Sequence, residues 1–259
     1  MRGGKKIDED TTAGLESREI PGRTPLYRQV KGAIVKRLLG GLWQPGQVLP
    51  NESKIAADFG VSQGTVRKAL NELAAEGLVD RRQGVGTFVS AHDSERALFH
   101  FFRLREVGKT ELSEVPVSVV HQQGQLTATP THSRHLDVSA GDPLSWIRRL
   151  RYLSGHAAIV EDIVIPQMLF PGLHLTPGSA FSDELYVLYQ KNYAVTVHKT
   201  REAVRASTAT EDEAALLGMA AGAPIIEVDR IAVALDGARV EWRVTRCRGE
   251  GYYYKNDIG

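Results

Sequence analysis

The 259-residue chain holds one cysteine, three methionines and three tryptophans, and its formal net charge is only +1. The lone cysteine, Cys247, forbids an internal disulfide framework and a multi-cysteine metal site, and it suits a reducing cytoplasm. His121, His132, His135, His156, His174 and His198 are scattered without metal-ligand spacing, so neither a metal nor a cofactor is expected. No apolar run approaches the length needed to span a bilayer. The opening "MRGGKKIDEDTTAGLESREIPGR" has no apolar h-region, which excludes a secretory signal, and residues 1–23 read as a mobile tail. What is present is a hydrophobic share of 42% and a charged share of 24%, in a chain long enough for two ordinary domains. A cytoplasmic protein with no membrane partner is expected.

The small net charge conceals an asymmetry. Between Leu26 and Ser90 nine Lys/Arg face five Asp/Glu, a net +4, whereas the chain from Ala97 onward is close to balance. A polyanion partner for the first part alone would account for this, as would ordinary surface charge.

Residues 24–90 have the punctuation of a small helical module. Thr24 is a good N-cap before Pro25. Leu26, Val30, Ile34 and Leu38 then mark one helical face, and Gly40–Gly41 stops the helix. Asn51 caps a second helix, "ESKIAADF", that ends at Gly60. Ser62 caps a third, with Val66, Leu70, Leu73 and Ala74 as its buried stripe and Gly77 beyond its end. Only "GVS" separates helices two and three, the tight link of a helix-turn-helix. "LVDRR" and "TFVS" flank "QGVG" as a hairpin, so the order is that of a winged helix.

That arrangement has a chemical use. A recognition helix enters the major groove by its N-terminal end. Ser62, Gln63, Gly64 and Thr65 are short or hydrogen-bonding there, and Gln63 can pair with adenine. Arg67, one turn on, can reach guanine or phosphate. In the wing, Gly84 and Gly86 admit close backbone approach, with Arg81 and Arg82 beside them. Capping and turn chemistry would explain Ser62 and Gly84 alone, but not the arginines and the element order together.

The stretch from "PLYRQV" to "GVGTFV" resembles the DNA-binding domain of the GntR family of bacterial transcriptional regulators, through "PLY", "PG", "LP-E", "GVS", "TVR-AL-L", "EGL" and "G-GTFV". The resemblance implies DNA contact at Ser53, Gln63 and Arg67. The first two are commonly arginine in that family and Gly64 often has a bulkier counterpart, so an unusual half-site is implied.

Beyond residue 97 alternating β-branched runs dominate. Two stretches look like copies: "LDVSAGDPLSWIRRLRYLSGHAAIVEDIV" and "LGMAAGAPIIEVDRIAVALDGARVEWRVT". Leu136 aligns with Leu217, Pro143 with Pro224 and Arg149 with Arg230. Allowing for a difference in turn length, Glu161 aligns with Glu241. Two such hairpins predict one mostly antiparallel sheet with helices on a face, an α+β domain. Arg149 and Arg151 share a strand face with Ile147 and Leu153, and Glu161 shares one with Ile159, Ile163 and Ile165. Charge on an apolar face must be paired or used. An Arg–Glu cross-strand pair at a sheet edge would satisfy it; so would a polar floor for an anionic ligand.

Residues from Leu98 to Tyr254 resemble the UTRA effector domain of the HutC-type branch of the same family, a fold similar to chorismate lyase that the branch uses for sensing. The resemblance implies a pocket lined by Arg149, Arg151, Glu161 and Glu241, with Arg103 in the first ligand loop. Two positions depart: Glu184 stands where a serine is usual, and Cys247 where an aromatic is usual. The implied division is a tail at 1–23, a winged helix-turn-helix at 24–90, a linker at 91–97 and an effector domain at 98–259.

The expected function is a sequence-specific transcriptional regulator, a repressor and a homodimer on palindromic double-stranded operator DNA. Its effector is expected to be a small anionic or zwitterionic metabolite. Such a ligand would carry a carboxylate or an amine rather than only a phosphate, because Glu161, Glu184 and Glu241 would repel a second anion. The alternative is a lyase-like enzyme with an accessory DNA-binding module, but no nucleophile–base pair stands out. A fused aminotransferase-like domain with pyridoxal needs a longer chain.

Overall fold

The computed structural model describes residues 24–90, 102–109, 116–181 and 185–256. Three helices, α1 (Leu26–Leu39), α2 (Glu52–Phe59) and α3 (Gln63–Ala75), precede a two-stranded wing, β1 (Val79–Arg82) and β2 (Gly86–Val89). Asn51 and Ser62 cap α2 and α3 by accepting from the backbone N–H of Lys54 and Thr65. The entry to α1 differs from the sequence reading. Pro25 is the cap residue and no side chain caps the helix. The Thr24 carbonyl accepts from Gln29 Nε2 at 2.7 Å, and the Pro25 carbonyl accepts from the N–H groups of Arg28 and Gln29. Leu26 is 60% exposed, so the buried stripe begins at Val30. Val30, Ile34 and Leu38 pack with Ile55, Val66, Leu70 and Leu73 into one core that Val79 and Val89 of the wing complete.

The rest of the chain builds around a seven-stranded antiparallel sheet. In chain order the elements are β3 (Leu104–Glu106), β4 (Val117–Thr127), α4 (Pro130–Leu136), β5 (Pro143–Leu153), β6 (His156–Pro166) and β7 (Ala180–Phe181). They continue with α5 (Leu185–Tyr193), β8 (Val197–Thr208), α6 (Glu211–Leu217), β9 (Pro224–Ala234), β10 (Arg239–Arg248) and β11 (Tyr252–Tyr254). The sheet order is β7-β4-β5-β6-β10-β9-β8, and β3 with β11 forms a separate ribbon. Capping boxes start α4 at Thr129 and α6 at Thr210.

Three expectations are corrected by this sheet. Helices cover both faces, not one. Leu136 of α4 and Leu217 of α6 pack on the face carrying Leu144, Leu150, Val160 and Val164, while α5 packs on the face carrying Ile147, Ile163 and Ile165. The Arg149↔Glu161 pair exists but joins β5 to β6 in the middle of the sheet, not at an edge. The repeat register also shifts. Arg149 faces Glu161 across the first hairpin and Arg230 faces Arg243 across the second, so the counterpart of Glu161 is Arg243 and not Glu241. Each hairpin carries one register irregularity, between Arg151 and Tyr152 and between Arg239 and Glu241, so the frame is moved by the turn instead: Tyr152 pairs with Ala157, whereas its counterpart Val233 pairs with Arg239, one residue further round.

Candidate DNA interface and ligand cavity

The exposed end of α3 gathers short polar side chains because the cap itself is made of them. Ser62 Oγ accepts from the Thr65 N–H at 3.2 Å and lies 2.9 Å from Thr65 Oγ1. Gln63 Nε2 donates to Ser53 Oγ at 3.0 Å, which joins the first turn of α3 to α2. A Cβ on Gly64 would meet nothing closer than Ser62 Oγ at 3.8 Å, so the fold does not require glycine there. Arg67 is 61% exposed and its Nε donates to Glu52 Oε2 at 3.0 Å. Arg82 lies over the Phe88 ring at 4.4 Å. Gly84 at φ +73 and Gly86 at φ +141 turn the wing, and a side chain at Gly86 would press on Val48 Cγ2. Ser53, Ser62, Gln63, Gly64, Arg67, Arg82, Gly84 and Gly86 are exposed, and Thr65 is half-buried.

In the C-terminal sheet the strand alternation carries Arg149, Arg151, Glu161, Arg243 and Thr245 onto one face, together with Glu241, and each is buried. Burying so many charges is tolerable only with dense pairing. Glu161 accepts from Arg149 Nε, from Arg243 Nη1 at 3.2 Å and from Thr245 Oγ1 at 3.2 Å. Glu241 accepts from Tyr186 Oη at 3.1 Å, Tyr189 Oη at 2.8 Å, and Arg243 Nε and Nη2 at 2.8 and 2.9 Å. Burial alone would raise the Glu161 carboxyl, but the charges of Arg149, Arg243 and Arg151 outweigh it and hold the group well below the usual carboxylate range. Burial, with the Glu241 charge, pushes the Tyr186 and Tyr189 hydroxyls up, so they remain donors.

Above this floor is a cavity of about 20 Å³, room for roughly one water. Arg103, Arg151, Glu161, Arg230, Arg243 and Thr245 give it polar walls, and Phe102, just before β3, closes it with Leu104 and Tyr254 of the β3–β11 ribbon. The Arg151 guanidinium sits over the Phe102 ring at 4.5 Å. Arg230 Nε donates to Glu202 at 2.5 Å, and Tyr254 Oη donates to the same carboxylate.

Of the expected ligand residues, Arg103, Arg151 and Glu161 line this cavity. Arg149 and Glu241 do not line it and act from beneath, through Glu161 and Arg243. Cys247 lies in an apolar cluster with Phe102, Leu153 and Ile159, its thiol pushed up to about 12 by burial. Glu184 lies outside the described residues. Sequence reasoning did not select Arg243, Arg230, Thr245, Tyr186 or Tyr254. The signal for two of them was present: Glu241, Arg243, Thr245 and Cys247 alternate along β10 and therefore share a face. A second cavity of about 570 Å³ lies between the wing module and the sheet, and Asp80 and Asp236 are the only carboxylate, lysine or arginine residues among the described residues lining it. It offers an anion no lysine or arginine, and His198 is the basic side chain among the described residues lining it. Among the described residues no helix is long and apolar enough to cross a membrane.

Comparison with known proteins agrees with this geometry. Residues 26–89 match the model of "Bacterial regulatory proteins, gntR family", and residues 111–253 match that of the UTRA domain. The chain is 28% identical over 230 residues to the transcriptional repressor NagR of Bacillus subtilis, covering 89% of this chain and 93% of that one. It is 26% identical over 224 residues to the mannosyl-D-glycerate transport/metabolism system repressor MngR of Escherichia coli, covering 85% and 90%. Among solved structures, the ligand-binding domain of a protein described as a GntR-family regulator from Bordetella bronchiseptica superposes with a TM-score of 0.57 at 26% identity, over 61% of this chain and 98% of that one. PhnF from Mycobacterium smegmatis shares the fold at a TM-score of 0.52 and 24% identity, over 89% and 99%.

Proposed function

The chain belongs to the GntR family of bacterial regulatory proteins and carries a UTRA domain; from that premise we propose that it is a HutC-type repressor whose operator affinity falls when a small anion enters the β3–β11 cavity. That it is a DNA-binding transcriptional regulator with an effector domain follows from the family and its relatives. The DNA face is the end of α3 with the wing: Ser62, Gln63, Gly64, Thr65, Arg67, Arg82, Gly84 and Gly86, with Ser53 behind Gln63. The division at 24–90, 91–97 and 98–259 is part of the same reading, as is residence in the cytoplasm.

The observation that carries the effector class is charge. Arg103, Arg149, Arg151, Arg230 and Arg243 surround the cavity or its floor, against Glu161, Glu202 and Glu241. Glu161 and Glu241 are engaged by the hydrogen bonds described above, so neither is presented to a ligand as a repelling acid. The remaining excess is cationic. Guanidinium groups hold carboxylates and phosphates in a bidentate way, which favours an anionic ligand. At about 20 Å³ the cavity must open to admit it. The wall most able to yield is Phe102, which occupies the face of Arg151 and is joined through residues 91–101 to the wing. A ligand that displaces Phe102 favours one arrangement of the two domains over the other, which is what a change in DNA affinity requires.

The test is a thermal-shift and DNA-release screen over dicarboxylates, sugar phosphates and zwitterionic metabolites. Hits should weaken operator binding about 5- to 150-fold, a coupling of about 1–3 kcal/mol. Arg151→Ala should bind DNA normally but lose the response. Release of DNA from Arg151→Ala at wild-type ligand concentrations would place the effector elsewhere.

Two-fold dimers match palindromic operators because one winged helix covers a single half-site. The sheet domain is the proposed dimer surface. Its strand β8 is a twelve-residue edge with Val204 46% exposed, and such edges are open to pairing. Sedimentation at micromolar concentration should give a dimer, both alone and on DNA. A monomer in both conditions would refute this assembly.

A further inference from the structure

Glu52 is the first residue of α2, yet its carboxylate faces α3 and the wing. Oε2 accepts from Arg67 Nε at 3.0 Å, and Oε1 accepts from Arg81 Nη2 on β1. Arg81 is gripped a second time, its Nη1 donating to Asn71 Oδ1 on α3. One carboxylate therefore ties three elements: the helix before the turn, the recognition helix and the wing. The Glu52 side chain is 19% exposed, against 61% for Arg67 and 37% for Arg81. The acid is recessed and the Arg67 cation stands out.

The geometry of the Arg67 bond matters. Binding through Nε restricts the guanidinium and, with the side chain 61% exposed, leaves Nη1 and Nη2 for a planar, two-point contact. An exposed arginine otherwise samples many rotamers, and ordering it on DNA costs conformational entropy. We propose that Glu52 is a specificity-positioning residue. It pre-sets Arg67 for base readout, and it uses Arg81 as an internal brace that holds the wing at a fixed angle to α3. Arg81 is then spent inside the protein and does not serve as a phosphate contact. The inference rests on the α3-and-wing docking proposed above.

Plain electrostatics gives the opposite expectation for an acid beside DNA. Removing one negative charge near a polyanion strengthens binding to every sequence. A positioning role weakens binding to one sequence only. The experiment uses the full chain and two duplexes: one selected by the wild-type protein from a random library, and a scrambled duplex of the same composition. Glu52→Gln should bind the selected duplex about tenfold more weakly, within the range one bidentate contact contributes, and bind the scrambled duplex as well as wild type or better. The ratio of the two affinities is insensitive to any misfolded fraction, which would lower both equally. A uniform gain on both duplexes would make Glu52 merely repulsive, and a uniform loss would make it merely structural; either overturns the proposal. Arg81→Met supplies the second arm. It should lower selected-duplex affinity without changing the slope of log affinity against log salt. A slope reduced by about one phosphate's share, roughly 0.9, would show Arg81 on the DNA and refute the brace. If the selected duplex shows no preference for the wild-type protein at all, the docking model fails, and that result is distinct from both.

Discussion

Replacing Arg243 by methionine is expected to destabilise the protein by about 3–5 kcal/mol, the cost of breaking a buried ion pair from one side. Arg243 serves both buried acids at once: Nη1 reaches Glu161, while Nε and Nη2 reach Glu241. Methionine fills much of the volume, so the loss is one of charge pairing more than of packing. Glu161 retains Arg149 and Thr245, and Glu241 retains its two tyrosines, which keeps the expectation within the stated range. The pH dependence has a definite sign. Glu161 titrates below its unfolded value, so its contribution is present above the unfolded carboxylate range, near pH 4.3. It is lost as pH falls through the folded value. The difference between wild type and Arg243→Met should therefore be largest at neutral pH and shrink on acidification below about pH 4. Denaturant unfolding followed from pH 7 down to about pH 2, through the folded-state titration of Glu161, measures this. A difference that is constant over that interval would mean that Arg243 acts by shape and not by pairing Glu161.

Arg67→Ala should weaken operator binding by about 1–3 kcal/mol. The variant leaves the core intact, because Arg67 is exposed and Val66, Ala69 and Leu70 beside it are the buried positions. Deleting Arg67 also strips Glu52 of one partner, so that carboxylate turns partly toward the DNA and adds repulsion; the upper half of the range is expected. Titration across salt concentrations separates base contact from phosphate contact. Equal affinity of Arg67→Ala and wild type at every salt concentration would disprove the docking of α3 in the major groove.

The winged-helix module was legible in the sequence because its signals are local. Asn51, Ser62, Gly60 and Gly77 each act within one turn, and the structure places caps and left-handed positions at or beside them. The strands β5, β6, β9 and β10 were legible for a similar reason, since period-two alternation bounded by turns needs no partner. Less visible was anything set by strand registration between distant segments. The pairing of Glu161 with Arg243 spans β6 and β10, whose register sets Arg243 opposite Ile163 and Thr245 opposite Glu161, and no single strand announces it. The closing ribbon was hidden for the same reason: Phe102 and Tyr254 meet the cavity from opposite ends of the domain.

The duplicated hairpins give the sheet an approximate two-fold frame, but the charges placed on it do not obey that symmetry. Arg149 and Arg230 correspond, whereas Glu161 corresponds to Arg243 and, by the same register, Arg151 corresponds to Ala232. The two copies therefore carry different charges at corresponding positions. A mirror-like frame with identical halves would accept a ligand in either of two orientations and could not distinguish its ends. Here the first copy presents Arg151 and the second presents Arg230 and Arg243 around a single acid. A molecule held between them would meet different chemistry at each end, so the proposed site has a head and a tail.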